Sequence, residues 1–135
     1  MTAVHARTAG GDMRYLARWF VLAAGGFTSG AIELDSHWVT SERVLGLPLK
    51  GVPPAGEPRF GQDYLGEHPM ARVGVAVDAE LRAEGAENVL VAGAALPGAQ
   101  PWREGSGEGI ALASGSRAAE VVLSGERPAA AEAPA

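Results

Sequence analysis

Two glycine-bearing runs near the C-terminus hold the residues best placed to do chemistry. The first is Asn88-Val-Leu-Val-Ala-Gly93-Ala-Ala-Leu-Pro-Gly98, and the second is Glu104-Gly105-Ser106-Gly107-Glu108-Gly109-Ile110-Ala111. The first reads as a short apolar strand that stops at Gly93. The second reads as a loop feeding a helix whose N-terminus falls near Gly107 to Ile110. Unpaired N–H groups and the positive end of a helix dipole favour an anionic or strongly polar acceptor, and glycines let that acceptor come close to the backbone. On spacing alone, Gly105 to Gly109 serves equally well as a flexible connector.

Other candidate groups carry less. His5, His37 and His68 have no metal-type spacing, and with no cysteine in the chain no metal site is expected. His37 and His68 read as solvated loop histidines. Asp35 with Glu42, or Glu67 with His68, could be posed as acid–base pairs, but their spacing leaves them as surface charge. Trp38, Trp102 and Tyr64 read as packing residues, and Arg103 as an exposed arginine beside the glycine loop. No catalytic residue is assigned.

The elements that must position these groups follow from periodicity. Val4 to Thr8 alternates apolar and polar, Ala9-Gly10-Gly11-Asp12 supplies a turn, and Arg14 to Trp19 alternates again before the apolar block Phe20 to Ala24. This predicts a hairpin whose second strand continues into a buried strand ended by Gly25-Gly26. Residues 27–72 are loop-rich, with a weak helical pattern over Trp38 to Leu45 and prolines at 48, 53, 54, 58 and 69. Val73 to Val77 and Asn88 to Ala92 read as short apolar strands. Ile110 to Leu123 reads as a helix with a small face of Ala111, Gly115, Ala118, Ala119 and Val122, stopped by Gly125 and Pro128. Residues 126–135, rich in Ala, Pro and Glu, are expected to be a disordered tail. The sum is an α/β chain with one domain over residues 1–125.

Composition narrows the function. The chain has 135 residues, 47% hydrophobic and 20% charged, with 19 glycines and a net charge of −5. That suits a globular domain and argues against nucleic acid as a partner. Without cysteine, it cannot ligate an iron–sulfur cluster through thiolates. The apolar runs fall short of the ~20 residues that span a bilayer, so no direct membrane insertion is expected. A cytoplasmic chain is expected, peripheral on the inner face of the membrane through a partner if attached at all.

From Arg18 to Val122 the sequence resembles the C-terminal part of FAD-dependent oxidoreductases of the fumarate-reductase and succinate-dehydrogenase-like superfamily. Within it, Phe27-Thr28-Ser29-Gly30, Val44-Leu-Gly-Leu-Pro48, Gly74-Val-Ala-Val-Asp78, Gly93-Ala94 and Gly105 to Ala113 are similar to the subunit designated B of anaerobic glycerol-3-phosphate dehydrogenase. The resemblance implies a C-terminal fragment of a Rossmann-like FAD-binding fold, a partial FAD-binding domain with a loop-rich insertion at about 27–72. It implies a flavoprotein oxidising sn-glycerol 3-phosphate to dihydroxyacetone phosphate in glycerol metabolism. The cofactor would be FAD, with FMN also associated with this family. The partners would be a second flavoprotein subunit and an iron–sulfur subunit.

Carried over by position, Ala24, Gly25 and Gly26 would lie by the dinucleotide. Gly93 and Ala94 would approach the ribityl and pyrophosphate region. Gly105, Gly107, Glu108, Gly109 and Ile110 would bring helix-terminal amides to the flavin ring. Ala94 stands where many relatives carry an acidic residue that bonds the ribitol. The Gly-x-Gly-x-x-Gly turn that opens such folds is not found: Gly10-Gly11 sits in a hairpin turn, and position 110 is Ile. Half a cofactor site is therefore expected, in a truncated reading frame, a fragment or one piece of a split protein. Two alternatives stay open. One is another flavoprotein of the superfamily, acting on a 2-hydroxy acid, succinate or a steroid. The other is an orphan domain that neither binds flavin nor turns over.

Overall fold

Alternation at the N-terminus produces the expected hairpin. In the computed structural model, which describes residues 1–125, β1 (Ala3–Thr8) pairs antiparallel with β2 (Gly11–Leu16), Thr8 opposite Gly11. Thr8 Oγ1 donates to the Gly11 carbonyl at 2.8 Å and accepts from Gly10 N–H at 3.2 Å, and Gly11 takes φ +109°. The side chain and the φ no other residue favours close this turn together. The expected tail, 126–135, lies outside the described residues.

The second strand does not run on into the apolar block. All six residues of β2 are exposed, so nothing beyond β1 holds it. The chain bends at Ala17–Trp19, and a new strand, β3 (Phe20–Leu22), begins in a different sheet. The nearly buried Asn88 side chain fixes that bend, its Nδ2 donating to the Arg18 carbonyl at 3.0 Å.

The segment 27–72 contains short elements in place of the expected helical stretch. A single turn of 3₁₀ helix over Phe27–Ser29 leads to a hairpin of β4 (Ile32–Leu34) and β5 (Thr40–Glu42), with Ile32 opposite Glu42. Trp38 and Leu45 have helical spacing, yet β-branched Val39 and Thr40 favour extension, and Asp35 turns the chain before them. Asp35 Oδ1 accepts from His37 N–H at 2.8 Å and Val39 N–H at 2.9 Å, while Trp38 takes φ +63°. The same device recurs at Asp78, whose Oδ1 accepts from Glu80 and Arg82 N–H at 2.9 Å each, with Leu81 at φ +67°. In both loops an aspartate holds a non-glycine residue in the left-handed region.

Beyond β6 (Leu49–Lys50) and a 3₁₀ turn at Pro69–Arg72, the expected Val73–Val77 strand shrinks to β7 (Gly74–Val75). It pairs antiparallel with β6, and Val77 makes a single bridge to Ala83. Gly74 lies so close to the Leu96–Pro97 backbone that a Cβ there would collide with it. The hairpin of β8 (Arg82–Ala83) and β9 (Ala86–Val91) follows, and sequence periodicity gave no sign of β8.

β9 is the centre of the molecule. It pairs parallel with β3 (Phe20 opposite Val89, Leu22 opposite Val91) and antiparallel with β8. Val89, Leu90 and Val91 are fully buried, and the two-residue strand period sorts them. Val89 and Val91 face Leu22, Leu47, Val75, Ala83 and Ala95; Leu90 faces Ala118 and Val121 of the C-terminal helix, with Trp19 alongside. A third cluster, Ile32, Met70 and Val73, sits under the middle segment. The fold is thus mixed α/β, with small sheets and one long helix.

A short helical turn, α1 (Pro101–Glu104), precedes that helix, α2 (Gly107–Leu123). α2 starts at Gly107, within the stretch expected for its N-terminus, but its buried face is rotated: Ser114, Ala118 and Val121 are buried, whereas Ala111, Gly115 and Ala119 are exposed. A hydrogen bond from Gly93 N–H to Ser114 Oγ at 2.8 Å sets the rotation. The stop is as expected, with Gly125 in the left-handed conformation at φ +71°. An added Cβ at exposed Gly115 would meet nothing within 4 Å. Gly115→Ala should therefore raise stability by ~0.5–1 kcal/mol. A lower melting temperature would show that something packs on that face.

Candidate functional site

Parallel pairing of β3 with β9 sends both chains out of the same sheet edge. Leu22 is opposite Val91, and Ala92 N–H donates to the Leu22 carbonyl at 3.0 Å, so the runs 23–26 and 92–94 emerge side by side. Crevices beyond the carboxyl ends of parallel strands are where α/β proteins bind ligands.

The two runs touch. A Cβ on Gly26 would collide with the Ala94 carbonyl oxygen, and one on Gly25 (φ +86°) with the Ser29 side chain. The Gly26 carbonyl accepts from the N–H groups of Ser29 and Ala31 at 3.2 Å and Ile32 at 3.4 Å, and Gly26 N–H donates to Ser29 Oγ at 3.3 Å. Packing within the chain therefore already demands glycine at 25 and 26. Ala24 is exposed. Gly93 differs: it takes φ +71° and faces open space.

Ser114 joins this edge to the helix. Besides accepting from Gly93 N–H, its hydroxyl donates to the Ile110 carbonyl at 2.5 Å. It is 7% exposed, with its hydroxyl both donating and accepting within the chain, and no motif signalled it. The strand end at Gly93 is thereby tied to the first turns of α2.

No side chain caps α2. The N-cap is Ser106, whose hydroxyl donates to Glu104 Oε2 at 3.0 Å instead. The N–H groups of the first turn are left to solvent or a ligand. Gly107 and Gly109 are helical residues, and of the three glycines only Gly105 takes positive φ, +64°. A Cβ on Gly107 would sit 3.2 Å from Pro101 Cβ, whereas Gly105 and Gly109 face open space. Glu104 and Glu108 place carboxylates at this helix end, and Ile110 is half-buried. Two carboxylates beside the dipole favour a neutral polar acceptor over a phosphate dianion.

The remaining groups sort by their contacts. Glu42 is not surface charge: at 4% exposure, its carboxylate accepts from Val44, Leu45 and Leu47 N–H at 2.6, 2.8 and 3.1 Å. Asp35 is engaged in its own turn, and Glu67 pairs with Arg72 at 3.2 Å. His68 is half-buried rather than solvated. Its Nδ1 accepts from Gly61 N–H at 3.0 Å, and its Nε2 lies 2.9 Å from the Tyr64 carbonyl. Trp38, Trp102 and Tyr64 are not packing residues, being 59%, 49% and 88% exposed. Trp38 and Tyr64 sit in short loops and Trp102 in the short helix α1, none of which turns its ring into the core. His37 and Arg103 are exposed. Among the described residues, no group of three His, Asp or Glu is arranged to hold a metal, and no helix is long and apolar enough to cross a membrane.

Comparison with known proteins gives a class first. The chain is similar over most of its length to subunits of a dehydrogenase. These relatives are named as the subunit designated B of anaerobic glycerol-3-phosphate dehydrogenase, and it is this protein that the chain resembles. The Vibrio cholerae protein is 29% identical over 128 residues, covering 91% of this chain and 29% of the relative. That of Aliivibrio fischeri is 31% identical over 124 residues, covering 87% and 27%. That of Pectobacterium atrosepticum is 32% identical over 124 residues, covering 87% and 28%. The chain spans less than a third of the length of the curated relatives it matches. No family model matches it, and no solved structure matches it.

Proposed function

We propose that this chain is the flavin-binding C-terminal part of the subunit designated B in a quinone-linked, anaerobic glycerol-3-phosphate dehydrogenase. The complete assembly would oxidise sn-glycerol 3-phosphate to dihydroxyacetone phosphate. The names of the relatives support the reaction class. The observation that carries the binding reading is the meeting of Ala24–Gly26, Gly93–Ala94 and the first turns of α2 at the carboxyl end of a parallel strand pair. This meeting supports reading residues 1–125 as part of an FAD-binding domain of Rossmann-like kind, with 27–72 as its insertion.

In this reading the flavin, FAD or FMN, supplies the hydride-accepting chemistry. The chain's own part is positional. Open space at Gly93 and Gly109 admits a planar group, and the uncapped N–H groups of Gly107, Glu108 and Gly109 hydrogen-bond to it. A second flavoprotein subunit and an iron–sulfur subunit are the partners, the latter bringing the clusters this cysteine-free chain cannot ligate. Attachment to the inner face of the cell membrane would run through them.

The isolated chain is expected to bind FAD or FMN weakly or not at all, because it lacks a Gly-x-Gly-x-x-Gly turn for the pyrophosphate. Adding the separately produced N-terminal portion of one of the full-length relatives should restore binding and yellow colour. Tight, stoichiometric flavin in the 135-residue chain alone would contradict the half-site reading. In the reconstituted pair, Gly109→Val should weaken flavin binding more than Glu108→Gln, which keeps the backbone N–H. A Gly109→Val protein that melts earlier yet binds flavin unchanged would assign Gly109 to folding only.

A further inference from the structure

A cavity of about 740 Å³ opens beside the candidate site, between the turn that follows Gly26 and the α1 turn that precedes Gly105. Phe27, Phe60, Tyr64 and Trp102 line it, with Leu65 and His68. No Lys, Arg, Asp or Glu among the described residues lines it. Arg72, next along the chain from the lining residue Ala71, is held by Glu67 at 3.2 Å and faces the buried Gln100 amide. With its oxygen turned to that side, Gln100 accepts from Arg72 Nε at 2.8 Å.

The wall is preformed. His68 closes the 61–68 loop on itself, with Nδ1 taking the Gly61 N–H and Nε2–H given to the Tyr64 carbonyl. A Cβ at Gly61 would collide with the Glu67 carbonyl, so the loop needs glycine there to close. Phe60 is fixed between Phe27 (centroids 5.8 Å apart, tilted 41°) and the edge-on His68 ring at 6.2 Å. With both imidazole nitrogens engaged, the other lining side chains able to hydrogen-bond a ligand are Thr28, Gln62, Tyr64 and Trp102.

We infer that this cavity binds an uncharged, planar aromatic ring and rejects phosphate esters. Its volume falls in the range of small-molecule pockets, and its rings offer faces and edges for stacking. A phosphate dianion in a cation-free apolar cavity would lose its hydration with nothing to replace it. Exposed rings gathered in one place mark a binding surface, and Tyr64 at 88% and Leu65 at 71% exposure are its rim. The inference stands apart from the flavin reading of the glycine cluster, because none of residues 24–26, 93–94 or 105–110 lines the cavity.

The test uses the 135-residue chain and two rings without a phosphate: lumiflavin, the bare tricyclic ring of a flavin, and menadione, a bicyclic quinone. Lumiflavin binding is read by its own fluorescence, and menadione binding by quenching of tryptophan emission. Saturable binding of either ring is expected, undisturbed by excess glycerol 3-phosphate. Tyr64→Ala and Trp102→Ala should weaken it about tenfold. Both side chains lie largely outside the core, and a thermal melt checks that the variants fold. Lumiflavin alone binding identifies the ring as flavin's own; menadione alone identifies a separate ring substrate. Saturation by neither ring, unchanged affinity in both variants, or displacement by glycerol 3-phosphate would overturn the inference. Failure of FAD reconstitution would not, since the deciding readout is the loss of ring binding on replacing Tyr64 and Trp102, which line the cavity and are not part of the glycine cluster.

Discussion

Gly26→Ala is expected to lower the stability of the chain by about 3 kcal/mol, whereas Gly93→Ala should lower it by only about 1 kcal/mol. The two glycines end neighbouring strands and look interchangeable in sequence. At Gly26 the added methyl would run into the Ala94 carbonyl, a backbone atom held by its own 3₁₀ turn, and the clash cannot be relieved by rotating a side chain. The Gly26 carbonyl also anchors three N–H groups of the next turn, so a shift there disturbs the path into β4. At Gly93 the methyl enters open space, and only the φ of +71° opposes it. Urea unfolding of both variants separates the cases. Equal losses would mean that the Gly26–Ala94 contact is not tight.

Glu42→Ala should destabilise by a similar ~3 kcal/mol, a fall in melting temperature of roughly 10 °C. Removing the carboxylate strips the acceptor from three N–H groups at once, in a segment that delivers Leu47 to the core beside Val89 and Val91. Glu42→Gln should lose about half as much. Its single oxygen can replace Oε2, which serves Leu45 and Leu47, but its amide then faces the Val44 N–H. A calorimetric melt with Ala and Gln variants equally stable would show that water substitutes for the carboxylate. Neither variant should change ring binding in the cavity, because Glu42 does not line it.

What the sequence disclosed was local. β1 and β2 announce themselves by alternation around a glycine turn, β9 by the apolar run Val89 to Val91 at its end, and α2 by small and apolar residues ended by Gly125. The pairing of β3 with β9 has no local signature, because its partners are far apart and β3 has only three residues. Trp38 to Leu45 misled because helical spacing of large residues says nothing about an aspartate turning the chain beforehand. For the candidate site, the glycines at 25, 26 and 93 could be picked out as backbone positions. Which of them pack against the chain and which face open space depends on neighbours such as Ser29 and Ala94. Ser114 was invisible because a helical serine acquires its role only when Gly93 arrives opposite it.

That distance between partners also has a temporal meaning. Arg18 and Asn88, whose bond secures the start of β3, are 70 positions apart in the chain. Hairpins such as β1–β2 close within microseconds. The β3–β9 pair must wait for the whole intervening segment, and during synthesis at ~5–20 residues per second that wait is roughly 4–14 s. Through it the apolar run from Trp19 to Ala24 has emerged without the strand that will bury Leu22. The edge where the glycines converge therefore forms only once β9 has emerged. Any factor that shields a nascent apolar strand would act on this chain at that run.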